Sequence, residues 1–311
     1  MGTLFDFTLC VSQNTPEVER AVKDAFAEVR RIDGLMTSYR PDSHVSRINE
    51  YAGKKGISVP LELYNLIEQS MSISRKTKGK FDITFASIGR IWNFRTDQPS
   101  LPERKEIRKR IRLIDYRKVI TDPKRNMVKL KDRRMRIGLG AIAKGYAVDR
   151  AGEVLRAHGI SNYIVYGGGD LLIGGSKNGA PWKIGIQDPR DKARYFAKLS
   201  LRGDKAIVTS GDYEKYFVIA GKRYHHILDP DTGFPATGSS SVTIVTDSAA
   251  VADAMATGVF VLGPREGMAL IESEPELEGI IVDSSLRPHV SAGLRSEVEL
   301  TEISVTQKGQ P

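Results

Sequence analysis

The sequence predicts an α+β fold, mixed sheets with flanking helices. Two observations carry this reading. Helical periodicity falls in a few blocks, while eight short strand-like runs crowd between residues 162 and 246 with no helical pattern among them. A doubly wound parallel sheet would need strands and helices in strict alternation. No linker-like stretch interrupts the 311 residues, so 1–311 reads as one domain, in one or two lobes.

The first strand is expected over about 3–12, where Phe5, Phe7, Leu9 and Val11 alternate with other residues. Thr15-Pro16 then supplies an N-cap and a proline at the first helical position. Val18, Val22, Ala25, Val29 and Ile32 recur at spacings of three and four, one face of a helix ending near Gly34. A second helix starts about Pro60, with Leu63, Leu66, Ile67 and Met71 on one side. Val119-Ile120 and Met127-Val128 flank a turn over 122–126 and predict a hairpin. A third helix is expected from Ala141 to His158, stopped by Gly159. Strand patterns follow at 162–166, 171–174, 182–187, 197–201, 206–209, 216–220, 223–228 and 241–246, with a hairpin loop at 220–223. Helices near 248–262 and 264–273, then strands near 279–283 and 288–291, complete the pattern.

Hydrophobic residues make up 40% and charged residues 27%, as in soluble globular proteins. No run of 18 or more apolar residues exists, which excludes a spanning helix of ordinary type. The first ten residues have neither a basic n-region nor an apolar h-region, so the chain as written carries no signal peptide. The single cysteine, Cys10, excludes an internal disulfide and a cysteine-based metal site, and its alternating surroundings suit a packed strand residue. The net charge of +9 comes from one segment. Residues 103–136 hold 15 Lys/Arg against 5 Asp/Glu, and the remainder holds 32 against 33. Such a face is either solvated or docks an acidic protein or membrane surface. No nucleic-acid-binding motif accompanies it, so no nucleic-acid partner is expected.

Five segments concentrate glycine, histidine, aspartate and hydroxyl residues. Gly140–Asp149 is a glycine-bounded turn entering a helix, where free N–H groups suit a phosphate and Lys144 adds a point charge. It lacks the spacing of a P-loop. Tyr166-Gly167-Gly168-Gly169-Asp170 follows an apolar strand and lets backbone approach closely. Thr209–Tyr216 is polar and turn-like. Tyr224–Gly233 sets His225 and His226, two of the five histidines, beside Asp229 and Asp231. A histidine next to a turn can serve as a general base. In Thr246–Thr257, Asp253 and Thr257 are four apart on a helix and share a face. A carboxylate and a hydroxyl there are hard oxygen ligands, fit for Mg2+ rather than Zn2+. Each segment also has an ordinary structural reading: a helix start, a turn, a surface histidine, a packed alanine helix.

Together and in this order, the segments resemble the ApbE family, the FAD:protein FMN transferases. The likeness runs from Met1-Gly2-Thr3 to about Leu262. It includes Met36-Thr37-Ser38-Tyr39, Asp42–Asn49 with His44 where glutamate is usual, Gly79–Thr84, Trp92-Asn93-Phe94 and the five segments above. The resemblance implies Mg2+ held by the Ala141 carbonyl and the side chains of Asp253 and Thr257. It implies FAD contacted by Met1, Tyr39, the Lys80-Phe81-Asp82 turn, Lys144 and Ile227, and His226 as the functional histidine. Where the family usually carries an aspartate that contacts the flavin nucleotide, this chain has Gly138.

The implied activity is Mg2+-dependent transfer of FMN from FAD to a threonine of an acceptor flavoprotein, with release of AMP. The implied setting is periplasmic or otherwise extracytoplasmic, with an export segment or lipid anchor upstream of residue 1. His226 is assigned as the base that activates the threonine. On that reading activity falls below the ordinary histidine value of about 6.5, and His225→Ala is nearly normal. Two other readings stay open at this point: an FAD pyrophosphatase with water as nucleophile, and a non-catalytic FAD-binding protein.

Overall fold

The computed structural model describes residues 2–94 and 98–304. β1 (Phe5–Leu9) leads to Thr15, whose hydroxyl caps α1 (Pro16–Met36). The apolar stripe Ala21, Ala25, Val29, Ile32 is buried, and α1 continues past Gly34 because Met36 also enters the core. Ser43 caps α2 (His44–Glu50), which is followed by β2 (Ile57–Ser58) and α3 (Leu61–Lys76). Next come α4 (Ala86–Gly89), α5 (Arg104–Ile111) and the expected hairpin, β3 (Val119–Asp122) and β4 (Met127–Leu130). The sequence reading gave no helix at α2 or α5. Each is only two turns long, and α5 buries a single residue, Ile107, too little for a periodic signal.

α6 (Ala143–Ala157) precedes six strands: β5 (Tyr163–Gly167), β6 (Asp170–Gly174), β7 (Trp182–Gln187), β8 (Tyr195–Leu201), β9 (Lys205–Gly211) and β10 (Tyr216–Ile219). β11 (Lys222–His225) and β12 (Ser239–Thr246) lead to α7 (Ala249–Ser273). β11 ends at His225 rather than running to 228. α7 breaks at Gly263, with φ 79° and ψ 179°, before Pro264, where the sequence separates two helices. β13 (Glu278–Asp283), β14 (Pro288–Val290) and β15 (Val298–Leu300) end the described chain.

The main sheet has seven strands in the order β1-β5-β6-β9-β12-β13-β14, every neighbouring pair antiparallel. This is the predicted α+β class. α6 and α7 cover one face of that sheet, and α1 packs on α6. The other face is covered by the small sheet β15-β8-β7. β12 lies in the middle and all eight of its residues are buried. Its Val242 and Ile244 face the helices, and Val245 faces Ile184, Phe196 and Leu199 of the small sheet. That two-sided burial takes in the hydroxyl residues Ser239, Ser240, Ser241, Thr243 and Thr246 along with the apolar ones. A third apolar cluster gathers Ile88, Trp92, Ile107, Phe217 and Leu228. Among the described residues no helix is long and apolar enough to cross a membrane.

α6 and α7 approach more closely than side chains allow. A Cβ on Gly145 would lie 2.0 Å from the Ala249 carbonyl oxygen, and one on Gly152 would lie 2.5 Å from Leu172 Cδ2. Glycine at these two positions lets α6 press on α7 and on the sheet at once. Gly145→Ala is therefore expected to lower stability by about 3 kcal/mol in urea unfolding. Gly140→Ala, where the added Cβ meets nothing within 4 Å, is the control and should stay within about 0.5 kcal/mol. Equal, small losses in both would show that the helices are free to separate.

Candidate functional site

The site forms where the first turn of α6 meets the second turn of α7. The turn before α6 is closed by the Ile142 and Ala143 N–H groups, which both donate to the Leu139 carbonyl (3.1 and 2.8 Å). This sets Ala141 at the helix mouth and Lys144 in the first turn. Asp253 projects from α7 with one oxygen 3.5 Å from the Gly145 N–H and the other 3.1 Å from Lys144 Nζ. Its carboxylate thus lies at the positive end of α6. Thr257 follows one turn along the same face of α7, and both Ala141 and Thr257 are half-buried.

Asp170 completes the cluster from the sheet. Gly168 and Gly169 have φ of 57° and 96°, the pair of positive values a two-residue hairpin turn needs. That turn joins β5 to β6 and delivers Asp170, which is 1% exposed. Lys144 Nζ donates to both of its oxygens at 2.7 and 2.8 Å. A Cβ on Gly168 would meet Thr3 Oγ1 at 1.9 Å, so the start of the chain packs directly on this turn.

One ammonium therefore serves two buried carboxylates. Burial, then the neighbouring Asp253, raises the Asp170 pKa well above the usual carboxylate range despite Lys144. Burial opposes the charge on Lys144, but Asp170 and Asp253 outweigh it and hold its pKa above the ordinary lysine value. With both carboxylates ionised the cluster would carry one negative charge in excess, which is what holds a proton on Asp170 and what a bound cation would relieve. Among the described residues no three His, Cys, Asp or Glu side chains gather as a metal site. A cation here would draw its other ligands from hydroxyl and carbonyl oxygens, which Thr257 and Ala141 offer and which suit Mg2+. The donor set fits that ion.

The two histidines differ sharply. His225 is buried, its Nε2 lies 2.9 Å from the Ala236 carbonyl, and its Nδ1 accepts from the Ile227 N–H at 3.3 Å. Its ring packs edge-on against Phe260 of α7. His225 is thus a structural residue, and the expectation that His225→Ala is nearly normal is corrected: the change would remove two hydrogen bonds from the segment that carries Ile227. His226 leaves the hairpin with its N–H donating to the Lys215 carbonyl at 3.0 Å. Its Nδ1 is buried with no hydrogen-bond partner. Burial first, then Lys215, pushes its pKa down to about 4, and Lys144 is among the cations that contribute. The expected loss of activity near pH 6.5 is corrected accordingly, because His226 stays neutral well below that value.

The remaining sequence-predicted residues spread around this centre. Lys80 spends its charge on Asp229 and Asp231 (2.9 Å each), tying the 80–82 turn to the loop after His226. Phe81 is in the main core. Asp82 accepts from Thr84 N and Oγ1 (2.7 and 2.6 Å) and from Tyr116 N (2.7 Å), and burial pushes its pKa up to about 6 against those bonds. Its carboxylate is a local staple. Ile227 is buried and offers its backbone, with its carbonyl accepting from Ala236 N–H. Tyr39 is 85% exposed. Gly138 donates its N–H to the Ile83 carbonyl, and a Cβ there would stand 3.1 Å from Ala86 Cβ. Met1 lies outside the described residues.

Sequence reasoning quoted three further residues inside its motifs but gave none of them the role it has in building the site. Asn49 brackets Ile137, accepting from its N–H at 2.7 Å and donating to its carbonyl at 2.9 Å, and so fixes the segment leading to Gly138. Asp149 of α6 caps α7, accepting from Ser248 Oγ (2.8 Å), Ala249 N (2.6 Å) and Ala250 N (3.0 Å). Asp170 was visible only as the end of a glycine turn. The pairings of all three span 26 to 101 positions and leave no local pattern.

Residues 1–281 match the ApbE family. A protein of Treponema pallidum named FAD:protein FMN transferase is 30% identical over 317 residues, covering 97% of this chain and 88% of that one. A protein of the same name from Escherichia coli is 30% identical over 248 residues, covering 78% and 71%. Among solved structures, the ApbE protein of Thermotoga maritima has a TM-score of 0.86 at 32% identity, covering 95% of this chain and 98% of that one. The flavin transferase ApbE of Vibrio cholerae has a TM-score of 0.84 at 25% identity, covering 96% of both.

Lys144→Met should leave Asp170 and Asp253 facing each other without a counter-ion. A loss of about 3–5 kcal/mol is expected in urea unfolding at pH 7. Because the folded-state pKa of Asp170 is already raised, protonation stabilises the fold as pH falls, so the deficit should shrink toward pH 5. A deficit equal at both pH values would assign the loss to packing instead of charge.

Proposed function

This chain belongs to the ApbE family and is a transferase, and we propose that it moves the FMN half of FAD to a threonine side chain of an acceptor flavoprotein, in the presence of Mg2+, with release of AMP. The observation that carries the reading is the Lys144–Asp170–Asp253 cluster at the mouth of α6, together with His226, whose buried Nδ1 has no hydrogen-bond partner. The names of the relatives support the flavin and the transfer. Mg2+, the threonine and an extracytoplasmic setting are parts of the proposal that rest on the resemblance and on the oxygen-rich donor set.

Each residue then has a task. Asp253, Thr257 and the Ala141 carbonyl would hold Mg2+, which when bound neutralises charge on the phosphoryl oxygens. The first turn of α6 presents N–H groups and positive potential to the anionic pyrophosphate. Asp170 keeps Lys144 in place and charged when a cation takes over Asp253. His226 accepts the proton of the acceptor hydroxyl as the threonine oxygen bonds to the FMN phosphorus. The bond between that phosphorus and the bridging oxygen breaks, and the oxygen leaves with AMP. Burial keeps His226 unprotonated beforehand, and an anionic pyrophosphate beside it raises its basicity. His225 holds the backbone of Ile227, and through it the position of His226.

Two experiments test this. Asp253→Ala should abolish Mg2+-dependent transfer, read by in-gel flavin fluorescence, while the far-UV spectrum is unchanged. Transfer at the wild-type rate in limiting Mg2+ would refute the metal assignment. His226→Ala should bind FAD by fluorescence quenching with near-normal affinity yet transfer FMN about 10²–10⁴-fold more slowly. The wild-type kcat/KM, which reports the free enzyme, should hold level from pH 8 to about 5, because protonation of free His226 lies near 4. A kcat/KM that halves near pH 6.5, or a loss of FAD binding large enough to explain the slow transfer, would count against His226 as the base.

A further inference from the structure

The basic segment folds into one surface beside the site. α5 buries Ile107 and turns Arg104, Lys105 and Arg108 to solvent, with Arg112 exposed just past its end. Exposed Arg90 and half-buried Arg136 extend the surface, since α4 is tied to Arg136 through Ser87, whose hydroxyl accepts from the Arg136 N–H at 2.9 Å. Among the described residues none of these six cations has a carboxylate at ion-pair distance. Arg110, between them, has Glu106 at 2.8 Å. Burial lowers the Arg136 pKa, and the closeness of Arg90 and Arg110 lowers it further, so like charges crowd at Arg136.

This surface is rigidly joined to the loop that follows His226. That loop is closed by a bridge between Leu228 and Pro235, and Lys80 grips it at Asp229 and Asp231. Its tip, Gly233, lies on α5: a Cβ there would fall 2.6 Å from Ile107 Cγ2 and 2.7 Å from Ile88 Cδ1. The Gly233 carbonyl accepts from Trp92 Nε1 at 3.0 Å. The apolar side of α5 therefore supports the histidine loop while its charged side faces outward.

We propose that the cationic face of α5, with Arg90 and Arg136, is the docking surface for an acidic patch on the acceptor protein, holding it so that its hydroxyl reaches His226. The proposal rests on the transferase reading above. A protein acceptor is favoured over a lipid surface because the face adjoins the loop after His226, where the macromolecular substrate must arrive, and because its cations stand on one side of a short helix among scattered surface charges. Docking by charge acts on encounter and orientation rather than on the chemical step.

The test uses the full chain and its Arg104→Glu, Lys105→Glu, Arg108→Glu variant. Fluorescein-labelled poly-L-glutamate is the probe for the acidic surface, and its binding is read by anisotropy. Wild type should bind with an affinity that falls as NaCl rises, and the variant should bind about tenfold or more weakly. FAD binding and acceptor-free FAD turnover should be the same in both, because the altered side chains are exposed and Ile107, not they, supports Gly233 of the loop. Poly-L-glutamate should slow transfer to a protein acceptor and leave FAD turnover untouched. Undiminished binding by the variant would overturn the proposal. Binding to phosphatidylglycerol vesicles but not to poly-L-glutamate, lost in the variant, would overturn it in favour of a membrane surface. A wild type that binds the probe but shows no FAD turnover would count against the transferase reading alone. The variant Arg104→Gln, Lys105→Gln, Arg108→Gln should lose binding to an intermediate degree, which guards against misfolding as the cause.

Discussion

The structure depends on the contact between α6 and α7 at Gly145. The absence of one side chain lets the Ala249 carbonyl come within reach of the α6 backbone, and the two helix N-termini then share one crossing. Each helix supplies a carboxylate to the other. Asp149 of α6 caps α7, and Asp253 of α7 faces the first turn of α6. A helix N-terminus carries unsatisfied N–H groups and partial positive charge, so a reciprocal arrangement answers both ends at once. Move the helices apart by the width of a methyl group and both carboxylates lose their partners.

The two aspartates show how a structural charge differs from a functional one in the same place. Asp149 accepts three hydrogen bonds from α7 and its cap, and it is spent. Asp253 has a long contact to Gly145 and a share of Lys144, which is also held by both oxygens of Asp170. Two buried carboxylates on one ammonium are under-compensated. In a folded core such a deficit persists only if something outside the chain relieves it or if the fold tolerates the expense. The hard oxygens of Thr257 and Ala141 make a cation the natural relief.

The histidine pair repeats the contrast. His225 and His226 are adjacent, yet the end of β11 turns them to opposite fates. His225 keeps the alternation of the strand and points inward, where both ring nitrogens are satisfied. His226 falls beyond the strand, with a buried nitrogen that nothing in the chain answers. The loop after it is held from two sides, by Lys80 at the carboxylates and by α5 under Gly233. Precision at His226 therefore comes from residues that touch neither nucleotide nor hydroxyl.

The α+β class, the long helices and most strand positions were legible because they rest on local periodicity. Ala25, Val29 and Ile32 of the α1 stripe and the break at Gly263-Pro264 are written in neighbouring residues, whereas Ala21 rather than the expected Val22 is the fully buried residue of the preceding turn. The motif residues Lys144, His226, Asp253 and Thr257 were legible as types at spacings, and the resemblance ordered them. α2 and α5 were not legible, because two turns with few buried residues give no repeat. Nor were the roles of Asp149, Asp170, Asn49 and His225, since each is set by a partner distant in sequence or by which way a strand end faces. The sequence by itself determined which chemical groups are present and on which elements they ride. The tertiary structure alone decided which charges are satisfied and which are left over, because compensation of a buried charge depends on distances of a few ångströms between segments that the chain order does not bring together.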